Sequence, residues 1–361
     1  MTSDMRRSKS LLDSLSHHFG SSPVAGPLAT FVVVLVLCLL FVPNFGSWRT
    51  ISGIVTAVSI SGFVTIGITF LMVAGEFDLS IGAMIAMSGY LFGAVAVGAD
   101  SQITRGLAAV GLPVAEGSGN FVLALILALA VPALMGLVNG LILIWTRIPS
   151  FIVTLGTRQI YRGLVWLTSG GVLLQTLERP PIFNMFNGRF ELLNNLPILD
   201  GANFRTATVW LLVAAFLGQY LLVHTRFGNH VFAVGGNVGA ATAQGIRTAR
   251  TKVLCFIFSG FMAGAAGVIS FSQFRSVRVA EQAGVELTAI AASVVGGALL
   301  SGGYGSVWGA VVGILMISLL RSAVILLDIP FIPADNFPAV IGATIIASVI
   351  LNNYLRTRAS A

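Results

Sequence analysis

Charged side chains are scarce in this chain of 361 residues: Asp, Glu, Lys and Arg together make up 9% of it, whereas a soluble domain carries about 25%. Hydrophobic residues make up 56%, and the mean hydropathy is +0.93. So few polar groups cannot cover a water-facing surface, which excludes a soluble globular protein. Glycine, with 41 residues, is abundant, as it is in membrane helices that pack closely.

Lysine is nearly absent, since only Lys9 and Lys252 occur, and the arginines stand singly between apolar runs. The net charge of +7 therefore forms no basic patch for nucleic acid. It is better explained by cations retained on the cytoplasmic side of a membrane. A P-loop needs a Gly-Lys-Ser/Thr sequence, but Lys9 lacks the preceding glycines and Lys252 is followed by Val253. The chain is not expected to hydrolyse ATP by that mechanism.

Residues suited to metal binding or catalysis are also few. Cys38 and Cys255 lie in apolar stretches, so a disulfide between them is not expected. The four histidines show no metal-ligand spacing with carboxylates and are interpreted as surface residues: His17, His18, His224 and His230. We find no His/Asp/Ser constellation, and therefore expect no metal, no cofactor and no enzyme activity.

Apolar runs recur along the whole chain and predict an all-α fold, a polytopic transmembrane helical bundle of about ten spans, some short or broken. A span needs about 20 residues to cross about 30 Å of hydrocarbon; nine or eleven spans also fit, because short glycine-rich runs are ambiguous. Residues 1–27 are a polar lead, 28–355 the transmembrane domain and 356–361 a tail. The predicted spans are residues 28–42, 51–74, 80–98, 121–145, 151–168, 207–223, 253–272, 287–300, 307–327 and 337–354.

The distribution of cations predicts the orientation. With the N-terminus inside, the inner segments hold ten Lys and Arg residues and the outer segments seven, which satisfies the positive-inside rule with both termini cytoplasmic. Arg158, Arg162 and Arg321 fall within or beside spans. Each could line the solute pathway, but arginines near helix ends usually extend toward the membrane interface, and we expect that here.

Two carboxylates, Glu76 and Asp78, lie in the otherwise apolar run 71–82. Acidic groups at membrane depth face protein or water, because lipid cannot solvate them. Gly75 allows the helix to break, and Asp78 or Ser80 is predicted to cap the next helix. Broken helices at this depth line cavities, so the segment is also a candidate for the solute pathway.

The same run resembles the Gly-Gly-Ile-Asp-Leu-Ser-Val-Gly signature of the ribose/xylose-type ABC sugar permease family. Three further blocks resemble that family in the same order, namely residues 148–157 with 161–163, residues 233–246, and residues 286–297 with 301–303. The resemblance covers about residues 50–355. Glu76 departs from the signature, where glycine is commoner, and this favours a subfamily with a different substrate. Asp78-Leu79-Ser80 disfavours the related branched-chain amino acid and urea permeases.

The resemblance implies the permease subunit of an ABC importer, which moves a simple sugar or polyol across a bacterial inner membrane. It implies a second permease copy (homo- or heterodimer), a cytoplasmic ABC ATPase and a periplasmic or extracellular sugar-binding protein. The implied ATPase-coupling residues are Gly235, Gly236, Asn237, Ala240, Ala241, Gly245 and Ile246. The broken-helix and pathway candidates are Gly75, Glu76, Asp78, Ser80, Gly82, Thr154, Thr157, Glu286 and Thr288.

Two polar connections are the expected contact sites for these partners. The alanine-rich run 238–244 suits a short helix in a groove of the ATPase. The segment 170–205 is long enough to fold over the outer membrane surface and meet the binding protein.

An ion-coupled secondary transporter of a small polar solute is the alternative. It would need no ATPase and would rely on intramembrane ionisable groups, for which only Glu76, Asp78, Glu286 and Arg321 are candidates. Neighbouring genes for an ATPase and a secreted binding protein would favour the importer. The sequence does not identify the sugar.

Overall fold

The computed structural model describes residues 24–114, 117, 119–178, 180–278, 284–328, 339–343 and 346. The described part is mostly helical and contains very little strand, which agrees with the all-α prediction. The helices are α1 Ala25–Phe41, α2 Trp48–Val73, α3 Ile81–Val97, α4 Gln102–Ala109, α5 Phe121–Thr146, α6 Ser150–Ser169, α7 Pro181–Asn187, α8 Glu191–Asn194, α9 Thr206–His224, α10 Arg226–Gly236, α11 Val238–Ala243, α12 Thr248–Phe274, α13 Val285–Val295 and α14 Val307–Leu327. A short 3-10 turn covers Pro197–Leu199, and two strands, β1 Leu174–Gln175 and β2 Ser276–Val277, pair antiparallel.

Local polar signals determine where the long helices begin and end. The side chains of Ser47, Asn120 and Ser306 accept backbone N–H groups at the starts of α2, α5 and α14, which satisfies donors that have no partner within the helix. Helices α3 and α6 end at Gly98 and Gly170, both in the left-handed conformation that glycine adopts without strain.

The first nine predicted spans each coincide with a helix, but the number of spans remains a prediction. Among the described residues, five helices are long and apolar enough to cross a membrane alone: α2, α5, α9, α12 and α14. Helices α3 and α4, bent by 71° at their junction, form a sixth if they are one span, while α1 and α13 are shorter apolar helices. Apart from residues 339–343 and 346, the predicted span 337–354 lies outside the described residues, as do residues 1–23 of the lead and the tail 356–361.

The core lies around α12, which packs against α2, α3 and α5. Helix α3 is buried along nearly its whole length. The outer helices instead expose apolar side chains, for example Leu40 at 71%, Trp145 at 87% and Leu167 at 73%. Such a surface is unfavourable in water and favourable in hydrocarbon, so the arrangement is that of a bundle surrounded by lipid.

Glycines bring α5 and α12 into close contact. A Cβ on Gly136 or Gly260 would clash with the backbone carbonyl of Phe256 or Pro132 on the facing helix. Gly140 and Gly264, one turn further along, also approach the partner backbone closely, with a Cβ at 2.9 and 2.7 Å from its nearest atom. Small residues four apart on both helices allow this approach, as is typical of helix pairs in membranes.

The predicted outer connection, residues 170–205, is folded onto the bundle. Asn194 both accepts from the N–H of Phe204 (2.8 Å) and donates to its carbonyl (2.9 Å). Phe183 is buried, and Asn187 donates to Gln273 of α12 at 2.9 Å. These contacts give the connection a defined structure of its own.

Candidate functional site

The segment between α2 and α3 is a break at the edge of the protein core, where Gly75 is exposed and most of its neighbours in the chain are buried. Gly75 adopts φ +81°, and the N–H of Glu76 closes the end of α2 by donating to the carbonyl of Leu71 at 2.8 Å. The side chain of Asp78 is fully buried and that of Glu76 nearly so. The predicted helix break is confirmed, and it carries two acidic side chains into the interior.

Asp78 is the first member of a hydrogen-bond network that joins the break to two helices. Its Oδ1 accepts from the N–H and the hydroxyl of Ser80 (2.8 and 2.6 Å) and, at 3.5 Å, from the amide of Asn139 on α5. Asn139 also donates to the Ser80 hydroxyl (2.8 Å) and accepts from the Tyr161 hydroxyl of α6 (3.0 Å). The network ties the break to α5 and α6.

The predicted helix cap is wrong in its geometry. A capping side chain accepts an N–H from the second or third helical residue, but Asp78 accepts from Ser80, which precedes α3, and Ser80 makes no side-chain cap. Asp78 therefore closes a local turn and anchors Asn139. Its second oxygen, Oδ2, accepts no hydrogen bond from the described residues.

Glu286 forms a second buried acidic position at the start of α13. Its side chain is 1% exposed, and Oε1 lies 2.8 Å from Nη2 of Arg158 on α6. The contact is ionic, because neither oxygen of Glu286 receives an aligned hydrogen bond from the described part of the chain. The expectation that Arg158 extends to the interface is therefore wrong. Helix α13 also contacts α3, which follows Asp78, so the two acids lie on neighbouring elements.

Glu76 forms the third acidic position and has a partner that the sequence did not suggest. Its Oε1 accepts from Nζ of Lys252 at 2.5 Å. Lys252 lies near the start of α12, 176 positions along the chain. One of the two lysines of the chain thus neutralises the residue that departs from the family signature.

The predicted ATPase-coupling residues form one continuous feature, made of the end of α10, then α11 and the turn that follows it. Asn237 caps α11 by accepting the N–H of Ala240 at 3.0 Å, and Ile246 donates to the carbonyl of Ala241 at 3.0 Å across the left-handed Gly245. Helix α11, Val238–Ala243, confirms the predicted short helix. Most of its surface is exposed, whereas Ala241 is buried.

The coupling residues lie directly beside the break. Gly235 touches the carbonyl of Val73 so closely that a Cβ would clash, and Gly303 donates to the same carbonyl at 2.8 Å. A Cβ on Gly75 would lie 3.8 Å from Gly235. The structure therefore brings together the predicted ATPase-coupling residues and the predicted helix-break residues, which the sequence indicated separately. Gly236 is exposed, and a Cβ added to it would meet no atom of the described residues within 4 Å.

The remaining candidates contribute less to this region. The hydroxyls of Thr154, Thr157 and Thr288 donate to carbonyls of their own or adjoining turns (2.8, 3.4 and 3.2 Å). Gly82 is buried within α3. Among the described residues, no three His, Cys, Asp or Glu side chains come together to hold a metal ion.

A bundle with apolar outer helices and a helix break that carries buried polar groups has features of a membrane transport protein. The family described as branched-chain amino acid transport system / permease component matches residues 50–349, and this chain belongs to it. It is a transport permease and not an enzyme.

Curated proteins similar to this chain confirm the resemblance to ABC sugar permeases. The L-arabinose transport system permease protein AraH of Escherichia coli (strain K12) is 33% identical over 330 residues, 91% of this chain and 90% of that protein. The ribose import permease protein RbsC of Bacillus subtilis (strain 168) is 31% identical over 315 residues, 87% and 88%. The inner membrane ABC transporter permease protein YjfF of E. coli (strain K12) is 32% identical over 302 residues, 83% of each. No solved structure matches.

Proposed function

We propose that this chain is the permease subunit of an ABC importer that moves a simple sugar or polyol across a bacterial inner membrane. The observation that carries the proposal is similarity over 87–91% of the chain to permeases named for arabinose and ribose transport. The chain holds no P-loop motif, which agrees with energy from a separate ATPase.

The proposed solute pathway follows the buried polar groups around the break. Oδ2 of Asp78 accepts no hydrogen bond from the described residues, and Glu286, whose Oε1 faces Arg158 at 2.8 Å, adds a second buried carboxylate. Asn139 and Tyr161 add an amide and a hydroxyl. Sugar hydroxyls donate hydrogen bonds, and a site built to bind them selects against molecules that lack them. This chemistry suits an uncharged polyhydroxylated solute.

The proposed ATPase contact is α11 with its flanking turns. The helix is short, presents small residues, and exposes Val238 at 44%. A helix of this kind lays an apolar anchor into a partner's groove. Gly235, at the end of α10 just before this helix, touches the carbonyl of Val73 next to the break, so a displacement of the contact would reach the proposed pathway through that residue.

The proposed contact for the sugar-binding protein is the folded outer segment. Leu192 and Ile198 expose 76% and 77% of their surface there, and exposed apolar side chains on an ordered segment are suitable anchors for a protein partner. A second permease copy, identical or related, is part of the proposed assembly.

The test reconstitutes the chain in proteoliposomes with the ATPase and the binding protein encoded beside it. Uptake of labelled L-arabinose, D-ribose, D-xylose and xylitol is measured with ATP inside the vesicles, and with a non-hydrolysable analogue as the control. We expect uptake of at least one of these solutes, and only when all three proteins and ATP are present.

The alternative, ion-coupled transport, is tested in the same vesicles. The chain alone is given a pH or Na⁺ gradient without ATP. Uptake of any of the four solutes under those conditions would contradict the proposed importer and support the secondary transporter.

A further inference from the structure

The Glu76–Lys252 ion pair occupies a position between the proposed ATPase contact and the proposed pathway. Lys252 lies in the first two turns of α12, which begins two residues after Ile246, the last coupling residue. Glu76 lies two residues before Asp78, which holds the hydrogen-bond network of α5 and α6. The ion pair therefore connects the end of the proposed ATPase contact to the start of the hydrogen-bond network in the proposed pathway.

The short stretch between the coupling residues and Lys252 is well placed to move as a unit. The N–H and the hydroxyl of Thr251 both bond to the carbonyl of Arg247 (3.1 and 3.2 Å), so the first turn of α12 is closed. A displacement of α11 would reach Lys252 through less than two turns of helix. Hydrogen-bonded helical backbone transmits such a displacement with little deformation.

The other contacts between these two features involve backbone and glycine. Gly235, Gly302 and Gly75 meet without side chains: a Cβ on Gly302 would lie 2.8 Å from the Gly235 carbonyl oxygen and 2.9 Å from the Gly75 Cα. Surfaces without side chains approach closely but interlock little, so they allow sliding. The ion pair is a directional side-chain link, with side chains 8% and 20% exposed, and attraction between charges is stronger where water is excluded.

We propose that Glu76 and Lys252 are positioning residues that transmit movement of the ATPase-coupling segment to the break between α2 and α3. When α11 and the start of α12 move, the ion pair carries Glu76 with them. Asp78, two residues further on, is displaced as well, and this changes its hydrogen bonds with Ser80 and Asn139. This inference rests on the proposed function, since it assumes an ATPase that moves α11.

The experiment uses the complete transporter in proteoliposomes and measures sugar imported per ATP hydrolysed. This ratio does not depend on how much protein is folded, so a purely structural role would leave it unchanged. In Glu76→Gln and Lys252→Met we expect ATP hydrolysis to continue and the ratio to fall by a factor of about five or more, the size of a typical coupling between sites.

The charge-reversed double variant, Glu76→Lys with Lys252→Glu, re-forms the ion pair with opposite polarity. We expect it to restore most of the ratio that either single change removes. The matched control is Asp100→Asn, which breaks the exposed Arg105–Asp100 pair (3.2 Å) and should leave the ratio at the wild-type value.

Two results would overturn the proposal: single variants that keep the wild-type ratio, or a double variant that recovers nothing. If a single variant is too unstable to purify, the double variant alone decides between these outcomes. Failure of the proposed function is separate, because it appears as absent ATP-driven uptake in the wild-type transporter.

Discussion

At Asp78 the two carboxylate oxygens have different surroundings. Oδ1 accepts from Ser80 and Asn139, whereas Oδ2 has no donor among the described residues. The first oxygen stabilises the local fold, and in the proposed pathway the second is the one that would bind a solute. Substitutions that remove one role and keep the other can therefore separate structure from transport.

The variants Asp78→Asn and Asp78→Ala distinguish the structural role of Asp78 from its role in transport. Asn keeps one acceptor oxygen for Ser80, so we expect membrane abundance and thermal stability close to those of the wild type, with reduced sugar uptake. Ala leaves the N–H and hydroxyl of Ser80 and the amide of Asn139 without their acceptor, which should cost about 1–3 kcal/mol of stability. Abundance, melting temperature and uptake are measured together.

The matched control for this pair is Asp328→Asn, at an exposed acid that follows α14. It should change none of the three quantities. An Asn variant with full uptake would contradict a transport role for the Asp78 charge, and an Ala variant of normal stability would contradict the structural role.

The acids of this site were predictable from the sequence, but their partners were not. Glu76 and Asp78 stand out because charges are rare in apolar runs. Lys252 and Asn139 lie 176 and 61 positions away, and no spacing rule links such distant residues. A polar Asn within the apolar α5 was the one available signal, and Tyr161 lay within a family block without an indicated role.

At the scale of elements, the α5–α12 pair shows how glycine positions the site. The close backbone approach at Gly136 and Gly260 holds α5, and so Asn139, against α12, which carries Lys252. Abundant glycine predicted close packing somewhere in the bundle. The sequence did not indicate which two helices would pack closely through glycine, because every predicted span contains small residues.

Gly136→Ala tests this packing. The added methyl group would clash with the Phe256 carbonyl, and overpacking of this kind costs about 1–3 kcal/mol. We expect a lower melting temperature of the purified protein in detergent. The control is Gly163→Ala on α6, where a Cβ meets none of the described residues within 4 Å and Ala favours the helix by up to about 1 kcal/mol. Equal melting temperatures in the two variants would contradict the packing.

At the scale of the whole molecule, the apolar exterior and the polar break fit a permease that works through partners on both faces. Composition predicted the fold class because a lipid-surrounded bundle needs few charges. The number of spans was harder to predict, because α1 and α13 are short, α3 bends into α4, and length alone does not decide whether such helices cross.

Ala240→Glu tests the partner on the inner face. Ala240 is exposed, so the new charge should leave folding intact. It would enter a small-residue contact with the proposed ATPase, and we expect co-purification of the ATPase and ATP-driven uptake to fall by about tenfold, equivalent to about 1.4 kcal/mol.

Two further variants complete this test. Ala108→Glu, at an exposed alanine of α4, should leave co-purification and uptake at wild-type values. Ala241→Glu places a charge at a position that is 3% exposed, so it should lower membrane abundance instead. If Ala240→Glu binds the ATPase and transports normally, α11 is not the coupling helix.

The short length of α13 has a consequence for its stability in the bilayer. Its 11 residues reach only about 16 Å, roughly half of the hydrocarbon thickness. The polypeptide that follows it packs closely on α14, where Gly296 touches Gly309. Non-helical backbone at membrane depth is tolerated only when protein covers it. The α13 segment therefore depends on α14 to cover its backbone, and we expect the two helices to be stable in the bilayer only as a pair.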